Sequence, residues 1–327
     1  MRSEFQFIEN IKSKYRLDKV GDDCALLPKD HVTDLLITAD LLVEDIDFRL
    51  EWTTPEFLGH KALAVSLSDI AAMGAEPKWA MLSIGVSEKL WKTDFLDRLY
   101  AGWHELGRKY DVELVGGDIS RSPDKLVIDS VVGGEVPKGK AIRRSGAKPG
   151  DAIFVTGYLG GAAAGLRLLE SGRKFDLSLP AGTRHLLLRH LQPLPQVATA
   201  KLLQQIGLAT SLIDISDGLS SDLMHVLDAS HLGARLHRDQ IPIDPAISGS
   251  RELAEDAFKL ALHGGEDFEL LITLDPERAA EALDLGFHKI GETTAKSSII
   301  EFIDGSEQTI LEERGFQHFG RSRSGEI

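Results

Sequence analysis

Strand-like apolar runs alternate with helix-like segments along most of the chain, and this alternation constrains the fold more than any other feature. Residues 35–39 and 79–86 have the composition of strands, and residues 55–73 between them have the length and composition of a helix. Thr54 can cap that helix, Pro55 suits its first turn, and Gly74 suits its end. The alternation predicts an α/β or α+β protein.

The rest of the chain continues this alternation around one polar stretch. Residues 137–151 are rich in proline, glycine and basic side chains, which disfavour regular elements. Since a domain has about 100–200 residues, we expect two domains in the 327-residue chain, 1–137 and 138–327. The further predicted helices are 93–110, one from Gly161, 197–205, 219–230, 251–263 and one from Pro276. The further predicted strands are 113–115, 126–136, 152–155, 211–215, 234–241, 268–274 and two before the polar tail.

Composition excludes several classes of protein. The 37 basic and 51 acidic residues give a net charge of −14, whereas nucleic-acid-binding proteins carry a basic surface. A single cysteine, Cys24, excludes a disulfide framework and a multi-thiolate metal site. We find neither a signal-peptide pattern at the amino terminus nor the roughly 18 uninterrupted apolar residues of a membrane helix. We therefore expect a cytoplasmic protein that contacts neither nucleic acid nor membrane.

Aspartates recur at the ends of predicted strands. Asp40 ends LLITAD, Asp118 ends ELVGGD, and Asp214 and Asp217 lie in IDISDG. Each of them alone is explained as a turn former or as the cap of the next helix. Asp69 is different, because it lies in an apolar helical segment where an unpaired carboxylate would cost several kcal/mol.

Taken together, these carboxylates favour a hard divalent cation. Oxygen ligands without thiolates favour Mg²⁺ over zinc or copper. Carboxylates act near a phosphate chain through such cations, so the pattern points to nucleotide chemistry. HGGED, residues 263–267, opens a predicted strand with two glycines and two acids. We interpret it as part of the site, since glycine before a strand commonly marks a close backbone approach.

The common nucleotide-binding loops do not account for this pattern. GEVPKGKA, residues 134–141, matches G-x-x-x-x-G-K, but Ala141 stands where a serine or threonine would bind magnesium, and no helix is predicted after it. The sequence has no dinucleotide-binding G-x-G-x-x-G after a strand, and it lacks the complete kinase set of H-R-D-L-x-x-x-N and D-F-G. GYLGGAAAG, residues 157–165, is compatible either with anion binding at a helix start or with close packing of small residues.

The ordered set of motifs resembles the thiamine-monophosphate kinase family, within the aminoimidazole-ribonucleotide-synthetase-like superfamily of ATP-binding proteins. The matching segments are GDDCALL (21–27), ITADLLVE (37–44), KALAVSLSDIAAMGAEP (61–77), VGGDISR (115–121), RRSGAKPGD (143–151), IDISDGLSSDL (213–223), GGEDFELL (264–271) and FQHF (316–319). The resemblance implies a two-domain aminoimidazole-ribonucleotide-synthetase-like fold with mixed sheets covered by helices. It also implies ATP-dependent, Mg²⁺-assisted phosphorylation of thiamine monophosphate, and a homodimer joined through the amino-terminal sheets.

The resemblance also implies roles for individual residues. Positions matching metal ligands or their surroundings are Asp23, Thr38, Ala39, Asp40, Asp69, Asp118, Asp214 and Asp217. Positions matching ATP contacts are Gly117, Asp118, Arg144 and Ser216. Positions matching substrate contacts are Asp47, Glu266 and Phe316. We expect direct in-line transfer with several Mg²⁺ ions and without a covalent nucleophile or general base. A monovalent cation stays open as an additional activator.

Two positions depart from the family pattern. The family commonly has Thr-Asp where this chain has Ala39–Asp40, and often has His-Phe where this chain has Asp47–Phe48. The second change places a carboxylate near the expected substrate pocket. Such a carboxylate suits a cationic thiazolium and disfavours a phosphate.

Other functions remain open at this point. Sister activities of the superfamily are aminoimidazole ribonucleotide synthesis, selenophosphate synthesis and hydrogenase-maturation chemistry. The second and third are disfavoured because the chain has neither a reactive cysteine in a glycine-rich amino-terminal segment nor a carboxy-terminal cysteine. A non-catalytic nucleotide sensor is the alternative from a different class. It is disfavoured because six clustered aspartates are costly without a metal-dependent role.

Overall fold

The computed structural model describes residues 4–17 and 19–311. The first part of the chain contains, in order, α1 (Glu4–Tyr15), β1 (Ala25–Pro28), β2 (Thr33–Val43), α2 (Pro55–Ala72), β3 (Glu76–Val86), α3 (Glu88–Trp91), α4 (Phe95–Tyr110), β4 (Glu113–Gly116), β5 (Ile119–Arg121) and β6 (Val127–Pro137). The second part contains β7 (Ala152–Val155), α5 (Gly161–Glu170), α6 (Ala181–Leu191), α7 (Val197–Ile206), β8 (Ser211–Asp214), α8 (Leu219–Ser230), β9 (Gly233–His237), α9 (Pro245–Ser248), α10 (Ala257–His263), β10 (Leu270–Leu274), α11 (Ala279–Asp284), β11 (His288–Thr294), β12 (Ile300–Asp304) and β13 (Glu307–Ile310).

The strands form two mixed sheets. The first has six strands in the order β1-β2-β6-β3-β4, and β5 also pairs with β3. In it β3 runs parallel to β4 and β5, and the other pairs are antiparallel. The second has seven strands in the order β13-β12-β9-β11-β7-β10-β8, with β9 and β12 parallel and the rest antiparallel. Mixed sheets covered by helices are therefore confirmed.

Helix α2 is the central helix of the molecule, and 15 of its 18 residues are buried. Its start is as expected, since Thr54 accepts a hydrogen bond from the Phe57 backbone N–H and Pro55 occupies the first turn. It packs closely against α4, because a Cβ at Gly59 would lie 1.9 Å from the Leu99 carbonyl oxygen. It also contacts β2, β3 and β6 of the first sheet, and β8, α6 and α7 of the second part. Its side chains can therefore reach groups from both sheets.

Several predicted elements differ from the structure. The strand expected over 234–241 ends at His237, where a 3₁₀ turn precedes Pro242. The helix expected from Arg251 begins at Ala257, because Leu253 and Ala254 donate to the Ser250 carbonyl in a separate turn. Three strands, not two, follow the short helical segment after Pro276. Helices α1 and α6 were not predicted. Within the described residues, the helices lack the combination of length and apolar character that crossing a membrane requires.

Candidate functional site

Three carboxylates from distant parts of the sequence meet beside α2. Asp23 lies just before β1, Asp69 lies in the last turns of α2, and Asp214 is the last residue of β8. Each offers an oxygen atom, and these three atoms all lie within 4.8 Å of one another. We call Asp23, Asp69 and Asp214 the carboxylate cluster.

Hydroxyl groups hold the carboxylates of this region in place. The hydrogen bonds run from Thr38 to Asp69 (2.5 Å), from Ser66 to Asp40 (2.6 Å) and from Ser68 to Asp214 (2.5 Å). Side chains alternate along a strand, so Thr38 and Asp40 share the face of β2 that meets α2. Because Ser66 and Ser68 both belong to α2, this helix orients carboxylates of both sheets.

The electrostatics of the carboxylate cluster favour a bound cation. Burial, followed by the charges of Asp40 and Asp214, raises the pKa of Asp69 well above its ordinary value. Burial, followed by the charge of Asp23, raises the pKa of Asp214 to about 7. The Arg144 guanidinium lies 2.6 Å from Asp23 Oδ1, whereas Asp23 Oδ2 is buried without a hydrogen-bond partner. A divalent cation with oxygen ligands would use that free oxygen and relieve the repulsion.

A second group of possible metal ligands lies at the start of α8. Asp217, Asp222 and His225 offer atoms within 4.8 Å of one another. Asp222 Oδ2 accepts the backbone N–H groups of Asp217 and Gly218 at 3.1 and 3.0 Å. Burial, followed by the charge of Asp217, raises the pKa of Asp222. Burial also lowers the pKa of His225 to about 4, with the charge of Arg144 acting in the same direction. Its imidazole is therefore neutral near pH 7.

The acidic loop at residues 264–267 packs against residues 215–218, the loop that connects β8 to α8. The Glu266 backbone N–H donates to the Ser216 carbonyl at 2.8 Å, and Glu266 has a positive φ of 65°. A Cβ at Gly265 would lie 2.3 Å from the same Ser216 oxygen. The glycine is thus needed for the close approach of two backbones, as the sequence indicated.

The two acids of this loop have different surroundings. Lys61 Nζ lies 2.6 Å from Glu266 Oε1, and His190 Nδ1 lies 2.8 Å from Glu266 Oε2. Although burial opposes the shift, these two basic groups lower the pKa of Glu266 to about 2. Asp267 accepts the backbone N–H groups of Gly160 and Ala162 and so caps α5. The Glu266 side chain is nevertheless 29% exposed, so a ligand can reach it.

Gly117 and Asp118, the residues predicted from GGD, lie between β4 and β5. A Cβ at Gly117 would lie 1.9 Å from the Leu82 carbonyl, and its φ of 151° also favours glycine. Asp118 is exposed, and its side chain accepts the Ile119 backbone N–H at 2.9 Å. Among the described residues, Asp118 belongs to neither group of possible metal ligands. Ala39 is exposed, between Thr38 and Asp40, so its side chain lies on the other face of β2.

Asp47, a predicted substrate residue, lies in the turn after β2. Asp47 accepts the Val43 backbone N–H at 2.8 Å, which closes the turn after β2. Its neighbour Phe48 lines a narrow cavity together with Trp52, Lys61 and His190. Phe316 lies outside the described residues.

Sequence reasoning missed Lys61, His190 and Asp222, which the structure places at these sites. Lys61 carried a usable signal, because a lysine within an apolar helix needs a partner for the same reason that Asp69 does. His190 lies 76 residues from Glu266, and local sequence gives no sign of their contact.

Comparisons with known proteins agree with this architecture. Residues 21–136 match the family described as AIR synthase related protein, N-terminal domain. Residues 148–303 match the AIR synthase related protein, C-terminal domain.

Individual relatives match over nearly the whole chain. Thiamine-monophosphate kinase of Escherichia coli (strain K12) is 40% identical, with 96% of each chain covered. Thiamine-monophosphate kinase of Bacillus subtilis (strain 168) is 39% identical, covering 92% of this chain and 93% of the relative. A solved structure of AaThiL complexed with AMPPCP and TMP superimposes with a TM-score of 0.87 at 32% identity, with 97% of each chain covered.

Proposed function

The chain belongs to the thiamine-monophosphate kinase family, and from this membership and the site geometry we propose that it phosphorylates thiamine monophosphate with ATP, forming thiamine diphosphate and ADP. The observation that carries the proposal is the meeting of Asp23, Asp69 and Asp214 within 4.8 Å. Arg144 lies beside them and provides a fixed positive charge. A related solved structure contains AMPPCP and TMP together, which supports ATP and thiamine monophosphate as the two substrates.

The carboxylate cluster is the proposed Mg²⁺ site. Asp23, Asp69 and Asp214 would supply oxygen ligands, and the unpartnered Asp23 Oδ2 fits such a role. Further proposed ligands are Thr38, Ala39 through its carbonyl, Asp40, Asp118 and Asp217. When bound, Mg²⁺ neutralises phosphate charge and leaves the phosphorus open to attack.

The chain's own residues position the reacting groups. A terminal phosphate oxygen of thiamine monophosphate forms a bond to the ATP γ-phosphorus, and the bond from that phosphorus to the β–γ bridging oxygen breaks, so that ADP leaves. The attacking phosphate is already ionised near pH 7, so the step needs no general base. Arg144 offsets negative charge in the transition state. Gly117, Asp118 and Ser216 are further proposed contacts for ATP.

On the substrate side, Glu266 is the proposed contact for the thiamine moiety. Its pKa of about 2 keeps the carboxylate ionised near pH 7, and 29% of its side chain is exposed. A carboxylate suits a cationic thiazolium or an aminopyrimidine N–H. Asp47 and Phe316 are further proposed contacts.

An exposed apolar face of the first sheet supports a homodimer. Leu41 of β2 and Met81 of β3 are 58% and 41% exposed, and the sheet register places both on the face opposite α2, beside Ala39 and Val131. A contiguous apolar sheet face marks an interaction surface. We propose that two copies pair through it, and that sedimentation velocity gives a dimer for the wild-type chain and a monomer for Leu41→Glu. The proposed cellular location is the cytoplasm.

The direct test of the activity measures ADP release with Mg-ATP and a panel of acceptors. We expect ADP release with thiamine monophosphate and none with unphosphorylated thiamine. Release only with a different phosphorylated acceptor would contradict the substrate assignment. Tight Mg-ATP binding without turnover on any acceptor would favour a nucleotide sensor instead.

A further inference from the structure

Lys61 is a buried cation within α2, a helix with 15 of its 18 residues buried. It lies on α2, its side chain is 4% exposed, and its ion-pair partner is Glu266, whose Oε1 lies 2.6 Å from Nζ. Burying an ammonium group is costly unless an anion pairs with it. The position of Glu266 is therefore tied to α2 by a strong electrostatic preference.

His190 contacts the other oxygen of the same carboxylate. It lies on α6, its side chain is 6% exposed, and its Nδ1 is 2.8 Å from Glu266 Oε2. Burial, followed by the charge of Lys61, lowers the pKa of His190, so its ring is neutral near pH 7. A neutral ring can donate one N–H from Nδ1. Lys61 thus supplies the positive charge, and His190 brings a ring nitrogen close to the second oxygen, in both cases without hydrogen-bond alignment.

The main chain of Glu266 is fixed independently. Its N–H donates to the Ser216 carbonyl at 2.8 Å, and its φ of 65° is unusual for a residue other than glycine. Ser216 lies between Asp214 and Asp217. The backbone therefore ties Glu266 to the loop that follows β8, whereas Lys61 and His190 set the direction of its carboxylate.

The contacts with Lys61 and His190 do not occupy the whole Glu266 carboxylate, so it is still available to a ligand. A carboxylate has about four lone-pair sites on its two oxygens, and Lys61 and His190 each face one oxygen. The exposed 29% of the Glu266 side chain gives a ligand access to the remaining sites.

We propose that Lys61 and His190 are positioning residues that orient the Glu266 carboxylate toward the thiamine moiety and so determine affinity for the phosphate acceptor without touching it. This inference rests on the proposed function. Lys61 also lies seven residues before Ser68 on α2, which is two helical turns or about 10 Å. Because Ser68 holds Asp214, one rigid helix sets the separation between the acceptor contact and the carboxylate cluster.

The test compares Lys61→Met with Lys78→Met in steady-state kinetics. Lys78 pairs with Glu76 at 2.7 Å but is exposed and lies on β3, so it controls for the loss of a lysine charge. We expect Lys61→Met to raise KM for thiamine monophosphate about tenfold, as the loss of a charged contact implies, and to leave KM for ATP within about twofold. We expect both KM values of Lys78→Met to equal those of the wild type.

A double variant tests whether Lys61 acts through Glu266. We expect Lys61→Met combined with Glu266→Gln to have the same KM for thiamine monophosphate as Glu266→Gln alone, since residues that act through one contact are not additive. Equal increases of both KM values in Lys61→Met, or additive effects in the double variant, would overturn the proposal.

Variants of His190 provide a measurement that does not depend on folding of Lys61→Met. Asparagine places an amide near the position of Nδ1, whereas leucine removes the donor. We expect His190→Leu to raise KM for thiamine monophosphate severalfold and His190→Asn to restore most of the loss. Equal KM values in the two variants would overturn the proposal. Turnover of the wild type is measured first, because its absence would contradict the proposed function. If the wild type turns over and the variants have unchanged KM values, only this inference is contradicted.

Discussion

Ser68 on α2 donates a 2.5 Å hydrogen bond to Asp214 at the end of β8, and so connects the helix that covers the first sheet to the carboxylate that ends a strand of the second. Both residues are buried. The carboxylate cluster thus depends on how the two sheets are held together, and not on a single loop.

Removing the Ser68 hydroxyl is expected to weaken Mg²⁺ binding. In Ser68→Ala, Asp214 loses the group that orients it, and loss of a residue behind a metal ligand typically reduces affinity about 10–100-fold. Isothermal titration with Mg²⁺ measures the change. Ser13→Ala, at an exposed position of α1, is the control and should bind as the wild type does. Unchanged affinity in Ser68→Ala would show that Asp214 needs no support from α2.

Neutralising single aspartates is expected to abolish turnover while leaving the fold intact. Asp69→Asn removes a ligand from the carboxylate cluster, and Asp217→Asn removes one from the group at α8. We expect turnover to fall at least about 100-fold in each. Because burial, followed by repulsion from Asp40 and Asp214, raises the pKa of Asp69, the metal-free Asp69→Asn protein should unfold at the same or a higher temperature. Near-wild-type rates in both variants would remove the metal assignment.

Mg²⁺ affinity is expected to depend on pH around neutrality. Burial raises the pKa of Asp214 from 3.8 to about 7 in the metal-free protein, so below pH 7 a proton must leave before the carboxylate can bind a cation. Affinity should therefore rise with pH up to about 7 and level off above it. Calorimetry in buffers of different ionisation enthalpy measures the protons released. Constant affinity from about pH 5.5 to 8 would contradict the assignment of Asp214 as a ligand.

The raised pKa of Asp214 also predicts how the stability of the metal-free protein varies with pH. Between about pH 4 and pH 7 the folded state keeps the Asp214 proton, which the unfolded state has lost. The contribution of this group to the free energy of unfolding therefore decreases as the pH rises through that range in EDTA. Thermal melts of wild type and Asp214→Asn should differ in pH dependence over this interval.

Gly265→Ala is expected to disturb the acidic loop. The added Cβ would meet the Ser216 carbonyl oxygen at 2.3 Å, so one backbone segment must move. We expect a loss of about 1–3 kcal/mol in the free energy of unfolding, measured by urea denaturation, and weaker binding of thiamine monophosphate. Gly182→Ala is a matched control, because its Cβ would lie 3.7 Å from its nearest neighbour and it lies within α6. An equal effect in both variants would show that the close approach is not important.

Local sequence was sufficient for the features that depend on local physics. The cap and first turn of α2 followed from Thr54 and Pro55, and the burial of this helix followed from its apolar residues. It was not sufficient for contacts between distant segments. Lys61 and Glu266 are 205 residues apart, and only the packing of α2 against the acidic loop brings them together. The Asp118 carboxylate accepts the backbone N–H of the next residue, Ile119, and its expected role as a ligand stays a prediction.

The most direct test of the account is phosphorus NMR of the purified protein with Mg-ATP and thiamine monophosphate, beside controls that lack either substrate. We expect loss of the thiamine monophosphate and ATP signals, with equal growth of the coupled signals of thiamine diphosphate and of ADP. We also expect the same mixture with Asp69→Asn to stay unchanged. ATP converted to ADP and free phosphate while thiamine monophosphate persists would contradict phosphorylation of thiamine monophosphate.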